Sequence, residues 1–392
     1  MTTIDIGGFV EPGWEPVRSA FEKNFELGEE VGASAAVYHR GHKVVDIWGG
    51  AFDATGERPY DDSTLQLMFS TTKGLVAIAV AMCVERGLLD YQEKVATYWP
   101  DFAAKGKGDA TVAQLLSHQC GLIAPDAEVT LSDALDWKTI TAMLADTAPD
   151  WPIGSGHGYH ALTFGWLAGE LIRRTDGRSP GQFLADEIAA PLGIDLWIGL
   201  PESLEPRVSP IIARPLNQVS DDPAVQAMLE MFLGPGTRGG RALFLNGVFA
   251  VNDVFNHREV HAAEVPAANG IGTAAALAKV YAATLNAVDG VRLLTDETRD
   301  RARVTITARG EPDLCLVMPT TFGMGFMTHG MFTPYSGPGS FGHSGAGGSN
   351  AFAQPERQLA VAYLMNKMAA NLAADARAQR ISDAAAAVAD SL

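Results

Sequence analysis

The chain is poor in positive charge. Its 29 Lys and Arg stand against 46 Asp and Glu, a formal net charge of −17. No run of Lys or Arg offers an electrostatic footprint for a phosphate backbone or an anionic lipid surface. Neither nucleic acid nor a membrane is therefore expected as a partner. Long apolar runs are missing too, and stretches such as Leu75–Val84 are too short to span a bilayer. Cysteine is scarce: Cys83, Cys120 and Cys315 are scattered, odd in number and without metal-type spacing. That pattern excludes a disulfide framework and fits reduced thiols in a cytoplasm. The opening MTTIDIGGFVEPGWEPV lacks a basic start followed by an apolar stretch, so no secretory signal is expected and a cytoplasmic location is. Finally, no Gly-x-Ser-x-Gly occurs, which weighs against the nucleophile elbow of α/β-hydrolases.

What is present is enough to bury a large core: 392 residues, 47% of them hydrophobic. Chains of this size form one large domain or two lobes, and two lobes are expected here. Ala33–His39 and Lys43–Trp48 are β-rich runs around Arg40-Gly41-His42, a hairpin signature. The far end mirrors it, with Ser349–Gln354 and Gln358–Met365 flanking Pro355-Glu356-Arg357. Thr321–Met327 and Gly339–Ser344 read as further strands, and Asn371–Leu392 as an Ala-rich closing helix. Between these ends the apolar spacing turns helical, in Lys73–Arg86, Val112–Ser117, Trp137–Leu144, Ala161–Arg174 and Pro180–Ile188. Gly177 stands where a helix C-terminal cap belongs, and Pro180 where a first helical turn tolerates proline. Residues 201–261 read as a long irregular excursion holding one helix, Ala224–Phe232. The expected fold is therefore α/β of the α+β type: an antiparallel sheet flanked by helices, with an inserted, mostly helical lobe. Residues 1–72 and 262–392 would form the sheet lobe, and residues 73–261 the helical one.

Three segments carry chemistry. In Met68-Phe69-Ser70-Thr71-Thr72-Lys73-Gly74, a serine and a lysine three residues apart open an apolar helix, so both lie on one face within side-chain reach. A serine hydroxyl attacks well only when a neighbour takes its proton, and a lysine does so only when burial or positive charge lowers its pKa. The helix start adds a favourable field for an oxyanion, with the Ser70 amide as one donor. The plainer explanation is an N-cap serine beside an exposed lysine, and Ser-x-x-Lys alone does not exclude it. The second segment, Trp151-Pro152-Ile153-Gly154-Ser155-Gly156-His157-Gly158-Tyr159, delivers a phenol from a glycine-crowded turn just before a helix. Such a phenol can shuttle protons; standing alone it would read as packing. The third, Phe341-Gly342-His343-Ser344-Gly345-Ala346-Gly347-Gly348, has glycines that let backbone amides approach a ligand and complete an oxyanion hole, or that merely turn the chain between strands.

In this order and spacing the three segments resemble the serine β-lactamase and penicillin-binding protein superfamily, with Ser70-x-x-Lys73 matching its first motif. Within it the chain looks most like the class C β-lactamase-like branch, and above all the family VIII bacterial carboxylesterases. Leu115–Leu122, Tyr159-His160-Ala161, Pro191-Leu192-Gly193, Asn269–Thr273 and Gly342–Gly345 fall where that family has similar sequence. The resemblance implies that Ser70 is acylated, that Lys73 helps deprotonate it, and that Tyr159 acts as base and then as acid toward the leaving group. It also places the amides of Ser70 and Ala346 around the oxyanion, with His343, Ser344 and Gly345 lining the substrate. Two departures matter. Ala161 stands where β-lactamases of this branch carry Asn, and His343 where they carry Lys. Losing that fixed cation removes the hold on a substrate carboxylate and favours neutral esters, with an unperturbed histidine gaining charge only below about pH 6.5.

The expected activity is thus hydrolysis of small or short-chain acyl esters through a Ser70 acyl-enzyme, without metal or cofactor. Rivals are a weak β-lactamase, a D-amino peptidase, an acyltransferase, or a non-catalytic binding protein on the same fold. The expected partner is a small-molecule ester, and a homo-oligomer is compatible with the sequence. Gly234–Gly239 and Gly337–Gly342 match dinucleotide-fingerprint spacing but are expected to be loops. His157 and His160 lack a third metal ligand, and His118 reads as a structural hydrogen-bonding group.

Overall fold

A computed structural model of the chain describes residues 5–213, 223–250, 253–369 and 374–392. Its main sheet is antiparallel throughout, built from β1 (Ile6–Val10), β2 (Gly32–His39), β3 (His42–Gly50), β8 (Met327–Thr328), β9 (Phe341–Ser344), β10 (Asn350–Gln354) and β11 (Leu359–Met365). The strand order is β1-β3-β2-β11-β10-β9-β8, so the N-terminal hairpin and the C-terminal hairpin meet at the β2–β11 seam. Between β2 and β3, Arg40 at φ 51° and Gly41 at φ 80° supply the two positive φ values that a tight hairpin of this twist needs.

The sheet alternates as a two-period pattern demands. Ala36, Tyr38, Ala351, Ala353, Ala360, Ala362 and Leu364 face a core that contains the helix Ala274–Ala283. Ala35, Val37, Phe352, Val361, Tyr363 and Met365 face the opposite core, closed by Val17, Phe21 and Phe25 of the helix Glu15–Glu26 and Ile381, Ala385 and Val388 of Ala376–Ser391. The first face is built largely of alanines, which lets an equally alanine-rich helix approach closely.

The helix Thr72–Glu85 is apolar on every side, and each residue from Thr72 to Cys83 is buried, so it runs through the core of the molecule. Thr163–Asp176 packs beside it and ends on Gly177 at φ 94°, the left-handed cap its sequence indicated. A second, smaller sheet joins β4 (Leu65–Leu67), β5 (Leu196–Trp197), β6 (Val208–Ser209) and β7 (Ile271–Gly272) in the order β5-β7-β4-β6.

Differences from the sequence reading have local causes. β1 was not foreseen because Gly7 and Gly8 weaken it as a strand signal. At Gly8, φ is 110° and a Cβ would sit 2.1 Å from the Asp46 carbonyl oxygen, so only glycine fits against β3. The small sheet escaped notice because its strands are two or three residues long. The stretch 201–261 is less irregular than expected: besides Pro223–Leu233 it holds the helices Arg238–Phe244 and Arg258–Ala262. Thr237 caps the second by accepting from the Gly240 amide at 3.0 Å. The strand expected over Thr321–Met327 turns back on itself: Phe322 bridges Met327, and Met327–Thr328 pairs with β9. The closing helix begins at Ala376 rather than Asn371; residues 371–373 lie outside the described residues, as do 214–222 and 251–252 of the excursion. Among the described residues no helix is long and apolar enough to cross a membrane.

Candidate active site

Ser70 sits in a 3-10 turn, Phe69–Thr71, that feeds directly into the helix Thr72–Glu85. The turn is strained: Phe69 adopts φ 46°, which an aromatic residue rarely does and which costs about 1–3 kcal/mol. It is held there by its ring against Phe255 at 5.0 Å and by its carbonyl, which accepts from Thr72 Oγ1 at 2.5 Å. Ser70 is therefore presented half-exposed at the head of a rigid helix.

Lys73, one turn on, is fully buried. Its Nζ lies 2.9 Å from Ser70 Oγ and 2.9 Å from the Ala267 carbonyl oxygen. No carboxylate pairs with it among the described residues, and burial holds its pKa well below the ordinary value of 10.5. Nζ donates to both oxygens, and the lowered pKa makes the amine a better acceptor for the serine proton than an ordinary lysine would be. Two residues on, the buried Asn269 ties the same loop together, its side chain donating to the Val260 and Ala263 carbonyls and accepting from the Val265 amide.

Tyr159 closes the other side, its side chain next to that of Ser70. Its ring stacks on Phe322 and on His343, both at 5.9 Å, and lies edge-on to His118 at 5.2 Å. Burial pushes its pKa up, so the phenol is protonated. The same burial keeps the histidines around it uncharged: His118 and His343 titrate well below the usual range, and His160 is pushed down to about 4. His160 donates from Nδ1 to the Gly158 carbonyl and accepts the Leu122 amide on Nε2, while His118 Nδ1 accepts the His160 amide. His118 and His160 thus shape the Tyr159 turn. His157 bonds Thr320 Oγ1 at 3.0 Å. No group of three His, Cys, Asp or Glu side chains suited to a metal occurs among the described residues.

The third segment docks against the Ser70 turn. Ser349 Oγ donates to the Met68 carbonyl at 2.7 Å and lies 3.0 Å from Thr71 Oγ1. Gly345 is glycine for want of room: a Cβ there would stand 2.2 Å from Ser349 Oγ and 2.5 Å from the Met68 carbonyl oxygen. Ala346 follows at the first position of a second 3-10 turn, Ala346–Gly348, and packs in the same apolar cluster as Phe69. Ser70 and Ala346 therefore both occupy helix starts, where backbone N–H groups have no partner within the helix. From behind, the buried Arg377 donates to the Gly347 carbonyl and pairs with Asp375 and Glu30. Ser344 is half-buried and bonds Asn350 Oδ1 at 3.2 Å. His343 is fully buried, its Nδ1 2.7 Å from the Ser344 carbonyl, so that nitrogen carries the proton. The acid-side gain of charge expected of an unperturbed histidine does not apply to so deeply buried a ring.

The sequence reading missed Ala267, Ser349 and Asp313. Asp313 is a buried carboxylate that accepts the Tyr159 amide; its one sequence signal is an Asp two residues before an apolar amide, as in an Asx turn.

A serine, a buried lysine and a phenol brought together between an antiparallel sheet and a helical body define a serine hydrolase of the β-lactamase-like kind. The sequence matches the Beta-lactamase family model over residues 17–386, and the chain belongs to that family. Among its relatives is the esterase/beta-lactamase LipL of Mycobacterium tuberculosis, 35% identical over 372 residues, covering 93% of this chain and 83% of LipL. Two solved structures superpose over 98% of this chain and all of their own. A family VIII carboxylesterase does so with TM-score 0.87 and 37% identity, and a penicillin-binding protein homologue from Caulobacter crescentus with TM-score 0.88 and 40% identity.

Proposed function

We propose that this protein is a serine carboxylesterase that hydrolyses small or short-chain acyl esters through an acyl-enzyme on Ser70. The observation that carries this reading is the buried Lys73 with Nζ 2.9 Å from Ser70 Oγ, its pKa lowered by burial, and beside them Tyr159, its pKa raised by burial. Lys73 takes the hydroxyl proton as Oγ adds to the ester carbonyl, and the amides of Ser70 and Ala346 receive the oxyanion. Tyr159 hands its proton to the departing alkoxide and regains one from the Lys73 ammonium, which returns the lysine to its uncharged form. A water then repeats the sequence on the acyl-enzyme and releases the acid. No step draws on a metal or cofactor. This assignment makes lysine the base and tyrosine the acid, because burial lowers one pKa and raises the other.

Ser344 and Gly345 would line the acyl side. His343 would act by being neutral, leaving no fixed cation for a substrate carboxylate. The partner in this reading is a small neutral ester met in the cytoplasm, with no nucleic acid or membrane involved. LipL carries both esterase and β-lactamase in its name, as this family would allow. The deciding test is a panel of p-nitrophenyl esters of graded chain length run beside nitrocefin, with a fluorophosphonate probe mapped by mass spectrometry. Short-chain ester turnover and labelling at Ser70 are expected. Turnover of nitrocefin alone would make it a β-lactamase, and turnover of neither would leave a binding protein.

A further inference from the structure

Asp313 is 1% exposed and makes no ion pair among the described residues. Its charge is held by donors alone: the Cys315 amide at 2.8 Å, the Leu316 amide at 2.9 Å, Thr320 Oγ1 at 2.7 Å, and the Tyr159 amide at 3.0 and 3.1 Å to its two oxygens. Three of these donors belong to its own loop and the fourth to Tyr159, 154 residues earlier. The Leu314 amide adds a parallel tie to the His157 carbonyl at 2.9 Å. The Tyr159 turn is otherwise crowded with glycine and has few ties of its own. Its position is fixed from two sides, by His118 and by the Asp313 loop.

We propose that Asp313 is a positioning residue that aims the Tyr159 phenol and keeps its proton available for the departing alcohol. The inference rests on the esterase reading and deepens it. Burial is the main cause of the upward push on the phenol, and a carboxylate fixed beside the Tyr159 peptide adds to it by disfavouring a second negative charge nearby. The other groups facing the ring are Lys73, Ser70, His118, His343 and Phe322, none of them negatively charged. Beside these groups Asp313 is the negatively charged one that adds to the effect of burial. Asn in its place would offer one acceptor oxygen for donors that now share two.

The role separates from simple structural support by its dependence on the leaving group. A p-nitrophenolate departs without a proton, whereas an alkoxide needs one. The experiment compares kcat/KM for ethyl butyrate and p-nitrophenyl butyrate in the parent, Asp313→Asn and Thr320→Val, with thermal unfolding and fluorophosphonate labelling of Ser70 as checks on folding. Asp313→Asn is expected to lower the ethyl-to-nitrophenyl ratio about tenfold to a hundredfold, a range suited to partial loss of general acid catalysis. Thr320→Val should lower it less, in the same direction. A folded, labelled Asp313→Asn that loses both substrates equally, or neither, overturns the inference. If that variant does not fold, an unchanged ratio in Thr320→Val overturns it. A parent inactive on both esters instead removes the esterase reading itself, and the inference with it.

Discussion

Two walls meet at Ser70, and they are built in opposite ways. Lys73 projects from an unbroken apolar helix, buried on every side, whose own i,i+3 geometry delivers Nζ to the serine. Tyr159 comes from a glycine-bounded turn with little regular structure, and hydrogen bonds from distant residues hold it. Burial acts on both, yet with opposite sign on their pKa values: it loosens the proton on an amine and tightens it on a phenol. Each shift thus moves its group toward the protonation state that the proposed mechanism requires of it. One wall is precise because its element is rigid, the other because a network over-determines it.

The comparison can be broken most severely at the shared atom. Ser70→Ala and Lys73→Met should each lower ester turnover by roughly 10³-fold or more, as loss of a nucleophile or its base does in serine hydrolases. Near-normal turnover in Lys73→Met would move the base role to Tyr159 and erase the distinction between the walls. Next comes Tyr159→Phe, which keeps the stacked ring and removes the proton. A loss of about 10²-fold on alkyl esters is expected, and much less on nitrophenyl esters.

Stability offers a smaller and independent reading of the lysine wall. Because the folded pKa of Lys73 lies below its unfolded value, the folded state binds fewer protons between the two. Parent stability should then rise with pH relative to Lys73→Met across that window, by at most about 1.4 kcal/mol per pH unit, and level off above about 10.5. Chemical denaturation of both proteins at pH 7, 8 and 9 measures this; parallel curves would mean that Lys73 is charged when folded. Activity has the matching sign, since protonation of Lys73 on its acid side removes the base. The smallest effect concerns His343. The ratio of kcat/KM for a carboxylate-bearing β-lactam to that for a neutral ester should stay flat from pH 8 to pH 5, and an acid-side rise would show that the ring gains charge in contact with substrate.

The same contrast explains what was legible beforehand. Ser70, Lys73 and the helix behind them could be read because local periodicity alone places them. Tyr159 and the segment from His343 to Ala346 were visible as glycine-marked turns, although their meeting at one serine required the family pattern. Asp313 was not visible: it lies in an irregular loop, and its contact with Tyr159 crosses 154 residues. Ala267 was out of reach for another reason, since it acts through a backbone carbonyl and no side-chain identity advertises that. The main hairpins were clear from alternation, while β1 and the small sheet were hidden by glycines and by strands of two or three residues.

The β2–β11 seam also sets a timetable. The Gly32 amide bonds the Asn366 side chain at 2.9 Å across 334 residues of chain, so the middle of the sheet pairs strands from nearly opposite ends. A ribosome adding about 5–20 residues per second needs on the order of 20–60 s to make the intervening stretch. Throughout that interval β2 has emerged with one edge lacking its neighbour, an invitation to pair with other chains. The segment that docks Gly345 and Ala346 against the Ser70 turn arrives only in the same closing moments. Newly made chains therefore bring the last segment to the Ser70 turn at nearly the same time as β11 covers the open edge of β2.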